Sequence, residues 1–286
     1  MKGFKNQLKK LTSLLEGIAY TTIGATDIII SNVCYDSRKV TPGSLFVCLP
    51  GSFYDGHDFA ADAIKLGASA LMVERYLDFP CPQILVEDSR KSLAQVAVNF
   101  YDHPYKDLAV VGVTGTNGKT TIVHMLKSIM GQAALASMIG TIGVKIGDGD
   151  YFATGNTTPE SLELQSQLRK MADQDVAYVA IEASSQGLAK FRFDHTQVDA
   201  AVFSNLSWDH MDYHKDMDHY FSCKAKLFQQ IKPTGLAVIN IDDPYGVKMA
   251  SLAKGRLVTY SLEKNAACTA KILQRYPSGT KIKFCL

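Results

Sequence analysis

The run Val110 to Thr121, VVGVTGTNGKTT, leaves the chain around it few choices. Val110, Val111 and Val113 read as the end of a buried strand. Gly112, Gly115 and Gly118 follow at three-residue intervals, and behind Lys119-Thr120-Thr121 the apolar residues Ile122, Val123, Met125, Leu126, Ile129 and Met130 recur at helical spacing. Strand, glycine loop and helix in that order turn backbone N–H groups inward and set a positive helix end beside them, which makes a cradle for phosphate. Lys119 is then placed to neutralise terminal phosphates and the Thr120 hydroxyl to ligate Mg²⁺. The first glycine lies one residue earlier than G-x-x-x-x-G-K-[ST] requires, so the general NTPase pattern fits imperfectly. A glycine-rich turn without a ligand is the plain alternative.

From Asp107 onward the pattern predicts regular alternation: strand 108–113, helix 120–130, strand 135–140 and a hairpin around Gly147-Asp148-Gly149. A helix to Met171 follows, with Thr158 at its N-cap and Pro159 at its first position. Strand 176–181, strand 198–203, helix 218–231, strand 236–241, helix 244–253 and strand 256–260 complete the series. Such β/α alternation implies a mostly parallel sheet flanked by helices, with ligands beyond the carboxyl ends of its strands. The first hundred residues alternate shorter strands (28–30, 45–49, 70–73, 83–86) with helices 57–66 and 89–101, and His103-Pro104-Tyr105 reads as a linker. The fold class is therefore α/β, a small α/β domain followed by a P-loop-type central domain. At 286 residues, 47% hydrophobic and 20% charged, the chain is long enough for both cores.

The strand-end rule selects Glu182, which follows Val179-Ala180-Ile181 and lies level with the glycine loop. It is either an Mg²⁺ ligand or a solvated strand-end carboxylate. Ser184, Ser185, Gln186 and Gly187 could line the same crevice. Further on, three His and four Asp lie within 209–219, but no cysteine or fixed ligand spacing there supports zinc. In the helix beyond, Tyr220, Cys223, Lys224, Leu227, Phe228 and Ile231 share one face. Lys224 thus sits in an apolar stripe, either snorkelling to the surface or reacting as a neutral amine of lowered pKa.

Asp-Ser-Arg-Lys occurs at 36–39 and at 88–91. The second copy precedes Leu93, Val96, Ala97 and Phe100, so Asp88 or Ser89 reads as a helix N-cap. The first runs into Val40-Thr41-Pro42-Gly43 and a strand and caps no helix, which leaves Asp36, Ser37 and Arg38 in a plain turn or facing a ligand.

Thirty basic and 28 acidic residues leave a formal net charge of +2 without a Lys/Arg run, which argues against a nucleic-acid partner. The basic N-terminus, MKGFKNQLKKLTSLLEG, spaces Leu8, Leu11, Leu14, Leu15 and Ile18 as a short amphipathic helix, not as a signal core. No stretch has the length of a membrane span. The six cysteines form no C-x-x-C pair and read as reduced core thiols. A cytoplasmic protein with no membrane partner is expected, and a monomer by default.

GVTGTNGKTT, NTTPE, EASSQGL, SNLSWDHMDYH and Y-x-x-x-K-x-x-LF, in this order, resemble the Mur ligases of peptidoglycan synthesis over nearly all of residues 20–262, most of all the branch that extends the UDP-muramoyl dipeptide. DSRKVTPGSLFVCLPG is similar to the uridine-nucleotide part of that branch and raises Ser37 from a turn residue to a UDP-sugar contact. The resemblance implies a UDP-sugar-binding domain over 1–104, an ATP-binding central domain over 105–286 that is incomplete at its C-terminus, and no third domain. It implies that Thr114, Gly115, Thr116, Asn117, Gly118, Lys119 and Thr120 hold ATP, that Thr120 and Glu182 bind one Mg²⁺, and that His210 and a carbamylated Lys224 help place a second. Asn156, Thr157, Thr158, Ser184 and Arg192 match positions that hold the UDP-muramoyl-peptide. A glutamine common in the family two residues before that arginine is Lys190 here, and its contact is not carried over.

The implied reaction is ATP-dependent amide formation. A phosphoryl group passes to the D-Glu side-chain carboxylate of UDP-MurNAc-L-Ala-D-Glu, and the amine of a diamino acid, meso-diaminopimelate or L-lysine, displaces it. A folylpolyglutamate-type ligase, a UDP-sugar- and ATP-binding protein without catalysis, and a plain P-loop NTPase or kinase are the rival readings. The resemblance further implies that 286 residues bind the UDP-sugar without completing the amide bond.

Overall fold

A computed structural model describes residues 8–51 and 53–285. Contacts divide them into two compact units. The first holds the chain to Asp107 together with Pro159–Gln174 and Lys190–His195; the second holds Leu108–Thr158, Asp175–Ala189 and Thr196 onward.

The first unit is built on a five-stranded sheet in the order Thr21–Ile23, Gln83–Leu85, Ala68–Val73, Ser44–Val47 and Asn32–Cys34, parallel except for the Thr21–Ile23 edge. Alternate side chains fall on opposite faces. Leu45, Val47, Ala70 and Met72 join one core with Leu11, Leu14, Leu93, Val96 and Ala97, whereas Phe46, Cys48, Leu71 and Val73 join another with Ala60 and Ala63. The sheet is thus buried on both sides, by Ser89–Phe100 on one and Ala60–Lys65 on the other, which is why its strands read as unbroken apolar runs. Asp88 caps Ser89–Phe100 as expected, its carboxylate accepting from Lys91 N at 2.8 Å.

Three expectations change here. Asp36 caps a helix after all, since its carboxylate accepts from Arg38 N at 3.1 Å at the head of the one-turn Ser37–Lys39. The N-terminal amphipathic helix shrinks to Leu11–Leu14, because Lys9–Lys10 pair with Ile29–Ile30; residues 1–7 lie outside the described residues. Helix Ser161–Asp173, assigned by sequence order to the central domain, packs in the first unit, where Leu162 enters the core containing Leu93.

The second unit has ten strands in the order Tyr151–Phe152, Gly143–Lys145, Ala136–Gly140, Tyr178–Glu182, Ala109–Thr114, Val198–Phe203, Ile231–Asn240, Arg256–Ser261, Cys268–Tyr276 and Gly279–Cys285. Its centre is parallel, and antiparallel hairpins finish both edges. Helix Lys119–Met130 covers one face, with Val123 packed among Val113, Met138, Ala180 and Val202. Helix Met217–Gln229 presses Leu227 onto Gly112, where an added Cβ would lie 2.7 Å from the leucine Cδ1. Gly112 is therefore a packing glycine inside a strand, which explains its offset from the general loop pattern. The last hairpin leaves Leu273 and Phe284 exposed, and Leu286 lies outside the described residues.

Candidate functional site

Strand Ala109–Thr114 ends at a loop whose turn depends on two glycines, Gly115 at φ +150° and Gly118 at φ +86°. At Gly115 a Cβ would lie 1.9 Å from Ser204 Oγ, so any side chain there collides with the neighbouring strand end. Gly118 opens helix Lys119–Met130 with no side-chain cap, and the first turn of a helix, with its N–H groups lacking intrahelical partners, favours an anion. Asn205 fixes the other end of the loop, accepting from Thr116 N at 2.8 Å and, through Oδ1, from Asn117 N at 3.0 Å. The Thr114 hydroxyl is turned away from the loop, buried and donating to Ala183 O at 2.8 Å.

Lys119 and Lys224 both reach into this loop. Lys119 Nζ donates to Gly115 O at 3.0 Å and Thr116 O at 2.8 Å; Lys224 Nζ donates to Gly115 O at 2.7 Å and lies 4.4 Å over the Tyr220 ring. Lys224 is only 1% exposed, which rules out a snorkelling lysine. Burial first, and the neighbouring Lys119 charge second, push its pKa well below the ordinary lysine value. Burial lowers Lys119 too, partly offset by the Glu182 and Asp209 carboxylates. The sequence had not singled out Asp209, which offers one of the few negative charges near both amines.

Glu182 is fully buried, which answers the solvated alternative. It pairs across the sheet with Val113, level with the start of the loop. Its carboxylate accepts from Thr120 Oγ1 at 3.0 Å, Thr141 Oγ1 at 3.1 Å and Thr141 N at 2.9 Å. Gly140 makes room, since a Cβ there would lie 2.1 Å from Glu182 Oε1. A carboxylate among hydroxyls is a hard-oxygen donor set of the kind Mg²⁺ takes. Thr141 was missed; its signal was a Gly-Thr pair at the end of a parallel strand.

The polar residues after Glu182 close the second unit's site. Thr158 is not the N-cap expected of it; the helix starts at Ser161, and the buried Thr158 hydroxyl donates to Glu182 O at 2.7 Å and meets Ser184 Oγ at 3.0 Å. Thr157 Oγ1 lies 3.1 Å from Thr141 Oγ1, and Asn156 is exposed. Helix Ser185–Ala189, also missed, carries the serines onward. His210 is half exposed at φ +55°, with its ring 6.3 Å from Tyr220. His210 and Lys224 thus lie against the same tyrosine.

On the first unit, Ser37 opens onto a cavity of about 740 Å³, with Asp36, Arg38, Tyr35, Tyr54, Phe59, Arg90 and Glu160 around it. Asp36 and Arg38 are not free as expected, for they form a bidentate pair at 2.8 and 2.9 Å. The aromatic rings give a flat apolar seat beside polar groups, and Tyr54 is 75% exposed. Tyr54 was missed, although Phe53-Tyr54 between two glycines was a legible loop signal. Arg192 does not stand alone: it holds Glu160 Oε1 at 2.7 and 3.0 Å while Arg90 holds Oε2 at 3.0 Å. Burial first, and the charges of Arg192 and Arg90 next, lower the Lys190 pKa. Arg90 and Arg192 thus close on one carboxylate, with Lys190 near enough to feel both guanidinium charges.

Among the described residues all six cysteines are free, but only Cys34, Cys48 and Cys223 are buried core thiols. No helix among them is long and apolar enough to cross a membrane.

Fold and site together define a phosphate-loop α/β chain with a second, smaller α/β unit at its start. The description of the Mur ligase middle domain matches residues 113–286, and that of the Mur ligase family catalytic domain matches 29–101. The chain belongs to the Mur ligase family. It is 42% identical over 277 residues to the UDP-N-acetylmuramoyl-L-alanyl-D-glutamate--2,6-diaminopimelate ligase of Caldanaerobacter subterraneus subsp. tengcongensis, covering 96% of this chain and 57% of that protein. The ligase of the same name from Geobacillus thermodenitrificans is 40% identical over 286 residues, covering 98% and 58%. A solved structure of a ligase of that name superposes with a TM-score of 0.83 at 29% identity, covering 97% of this chain and 57% of the other. The chain spans a little over half the length of the relatives it matches.

Proposed function

We propose that this chain carries the UDP-substrate and ATP sites of a ligase that joins a diamino acid, 2,6-diaminopimelate by the names of its relatives, to UDP-MurNAc-L-Ala-D-Glu. The observation that carries the reading is the pair of lysines on the Gly115 carbonyl, one at the mouth of the phosphate loop and one buried and disposed to lose its proton. A neutral amine is the form that adds CO₂, losing a proton and becoming an anionic carbamate.

In this reading residues 115–120 cradle the ATP phosphates and Lys119 draws charge from the terminal ones. Thr120 with Glu182, and His210 with carbamylated Lys224, are the groups that would hold two Mg²⁺ ions, whose chemistry is to neutralise charge on the transferring phosphoryl group. Ser37, Tyr54 and Arg90 take the uridine nucleotide. Asn156, Thr157, Thr158, Ser184 and Arg192 match the family's positions for the muramoyl-peptide. The γ-phosphoryl group passes to the D-Glu side-chain carboxylate, giving an acyl phosphate and ADP; the amine then attacks the acyl carbon and phosphate leaves. Positioning and fixed charge supply most of the rate in such transfers.

The acyl-phosphate step can be tested without the amine. ATP labelled with ¹⁸O at the β–γ bridge should scramble its label when UDP-MurNAc-L-Ala-D-Glu is added to the chain with Mg²⁺, and not in its absence. No scrambling while both ligands bind would reduce the chain to a binder. Scrambling with a pteroyl-glutamate substrate instead would make it a folylpolyglutamate-type ligase.

A further inference from the structure

The polar segment 209–219 lacks a cysteine of its own, but the fold supplies one. His219 and Cys223 are four residues apart on helix Met217–Gln229 and share a face, and His214 packs against them from the preceding loop. His214 Nδ1 lies 3.3 Å from His219 Nδ1, and Cys223 Sγ lies 3.6 Å from His219 Nε2. Each of the three residues can offer a ligand atom within 4.8 Å of the other two. His214 is 2% exposed and Cys223 3%. The Nε2 of His214 is tied to Ser185 Oγ at 2.9 Å, which orients the ring with Nδ1 toward the pair, as an outer partner does for a metal-bound histidine.

We propose that His214, His219 and Cys223 form a binding site for a thiophilic divalent metal ion of the Zn²⁺ type, separate from the hard-oxygen set of Thr120 and Glu182. Metal–nitrogen bonds of about 2.0 Å and metal–sulfur bonds of about 2.3 Å place tetrahedral ligand atoms roughly 3.5 Å apart, within the 4.8 Å that holds one atom of each residue, although the two short contacts engage different nitrogens of His219. One nitrogen of His219 serves as ligand, so its ring turns slightly to bring that atom toward both partners. The Cys223 thiol gives its proton to solvent as the metal–sulfur bond forms. Imidazole and thiolate select Zn²⁺ or Co²⁺ over Mg²⁺, and three protein ligands leave a fourth position for water or an anion. The ion would tie the loop carrying His210 to the helix carrying Lys224.

Co²⁺ is the probe. Titrated into the purified chain under excess Mg²⁺, it should produce a near-ultraviolet sulfur-to-cobalt charge-transfer band and visible bands of four-coordinate intensity, all abolished by equimolar Zn²⁺. Cys223→Ala and His219→Ala should each remove the charge-transfer band while circular dichroism shows a folded chain; Cys223→Ser, closer in size to cysteine, serves if the alanine variant unfolds. Absence of the band in the wild-type chain, or its survival in any of these variants, overturns the site and leaves Cys223 a hydrogen-bonded core thiol.

Discussion

Lys119 and Lys224 donate to one acceptor, the carbonyl oxygen of Gly115, at 3.0 and 2.7 Å. Two ammonium groups on one oxygen repel, and burial strips away the water that would screen them, so the more buried partner yields its proton more readily. Packing that leaves Lys224 in an apolar stripe thereby lowers its pKa.

The stability of the chain should register this. Lys224 has a folded-state pKa well below 10.5, so between the depressed value and 10.5 the unfolded chain binds more protons than the folded one. Stability therefore rises with pH across that window, and the cost of burying the charge is fully present below it. In CO₂-depleted buffer Lys224→Met should be more stable than the wild type at the low end of the window, its advantage shrinking as pH approaches 10.5. Urea midpoints measured across pH check this; an advantage independent of pH would show that the amine titrates normally.

Lys119→Ala should leave the fold intact and weaken ATP. Hydrogen bonds to charged groups contribute about 1.5–3 kcal/mol, so the affinity loss should be roughly 10- to 150-fold. Titration with a fluorescent ATP analogue measures it, and unchanged affinity in a folded variant would remove Lys119 from the phosphate site.

Gly140→Ala places a Cβ 2.1 Å from Glu182 Oε1. Overpacking of this kind costs about 1–3 kcal/mol, and the carboxylate must move to relieve it. Thermal melts should show the loss, and most of it should vanish in a Glu182→Ala background, where the collision is gone. Equal losses in both backgrounds would place the strain elsewhere.

The sequence made the parallel sheet and the phosphate loop legible, because apolar runs and a glycine loop opening a helix are local patterns. Glu182 was legible for a related reason: strand ends in such sheets face ligands. What escaped depends on contacts distant in sequence. Thr158 has the local pattern of an N-cap, yet burial beneath Glu182 claims its hydroxyl for a carbonyl. Gly112 resembles a loop glycine and instead accommodates Leu227 from another helix. The clustering of Arg90 and Arg192 on Glu160 cannot be read before the fold joins separate segments, whereas Cys223, four residues after His219 on one helix face, lay within reach of helical spacing.

Isothermal titration of the chain with UDP-MurNAc-L-Ala-D-Glu, and with UDP alone, tests the account most directly. Both should bind. Tyr54→Ala should weaken the two ligands by similar factors, whereas Arg192→Ala should weaken the dipeptide ligand and leave UDP unchanged. Failure of the folded chain to bind UDP-MurNAc-L-Ala-D-Glu, or equal effects of Arg192→Ala on both ligands, would contradict it.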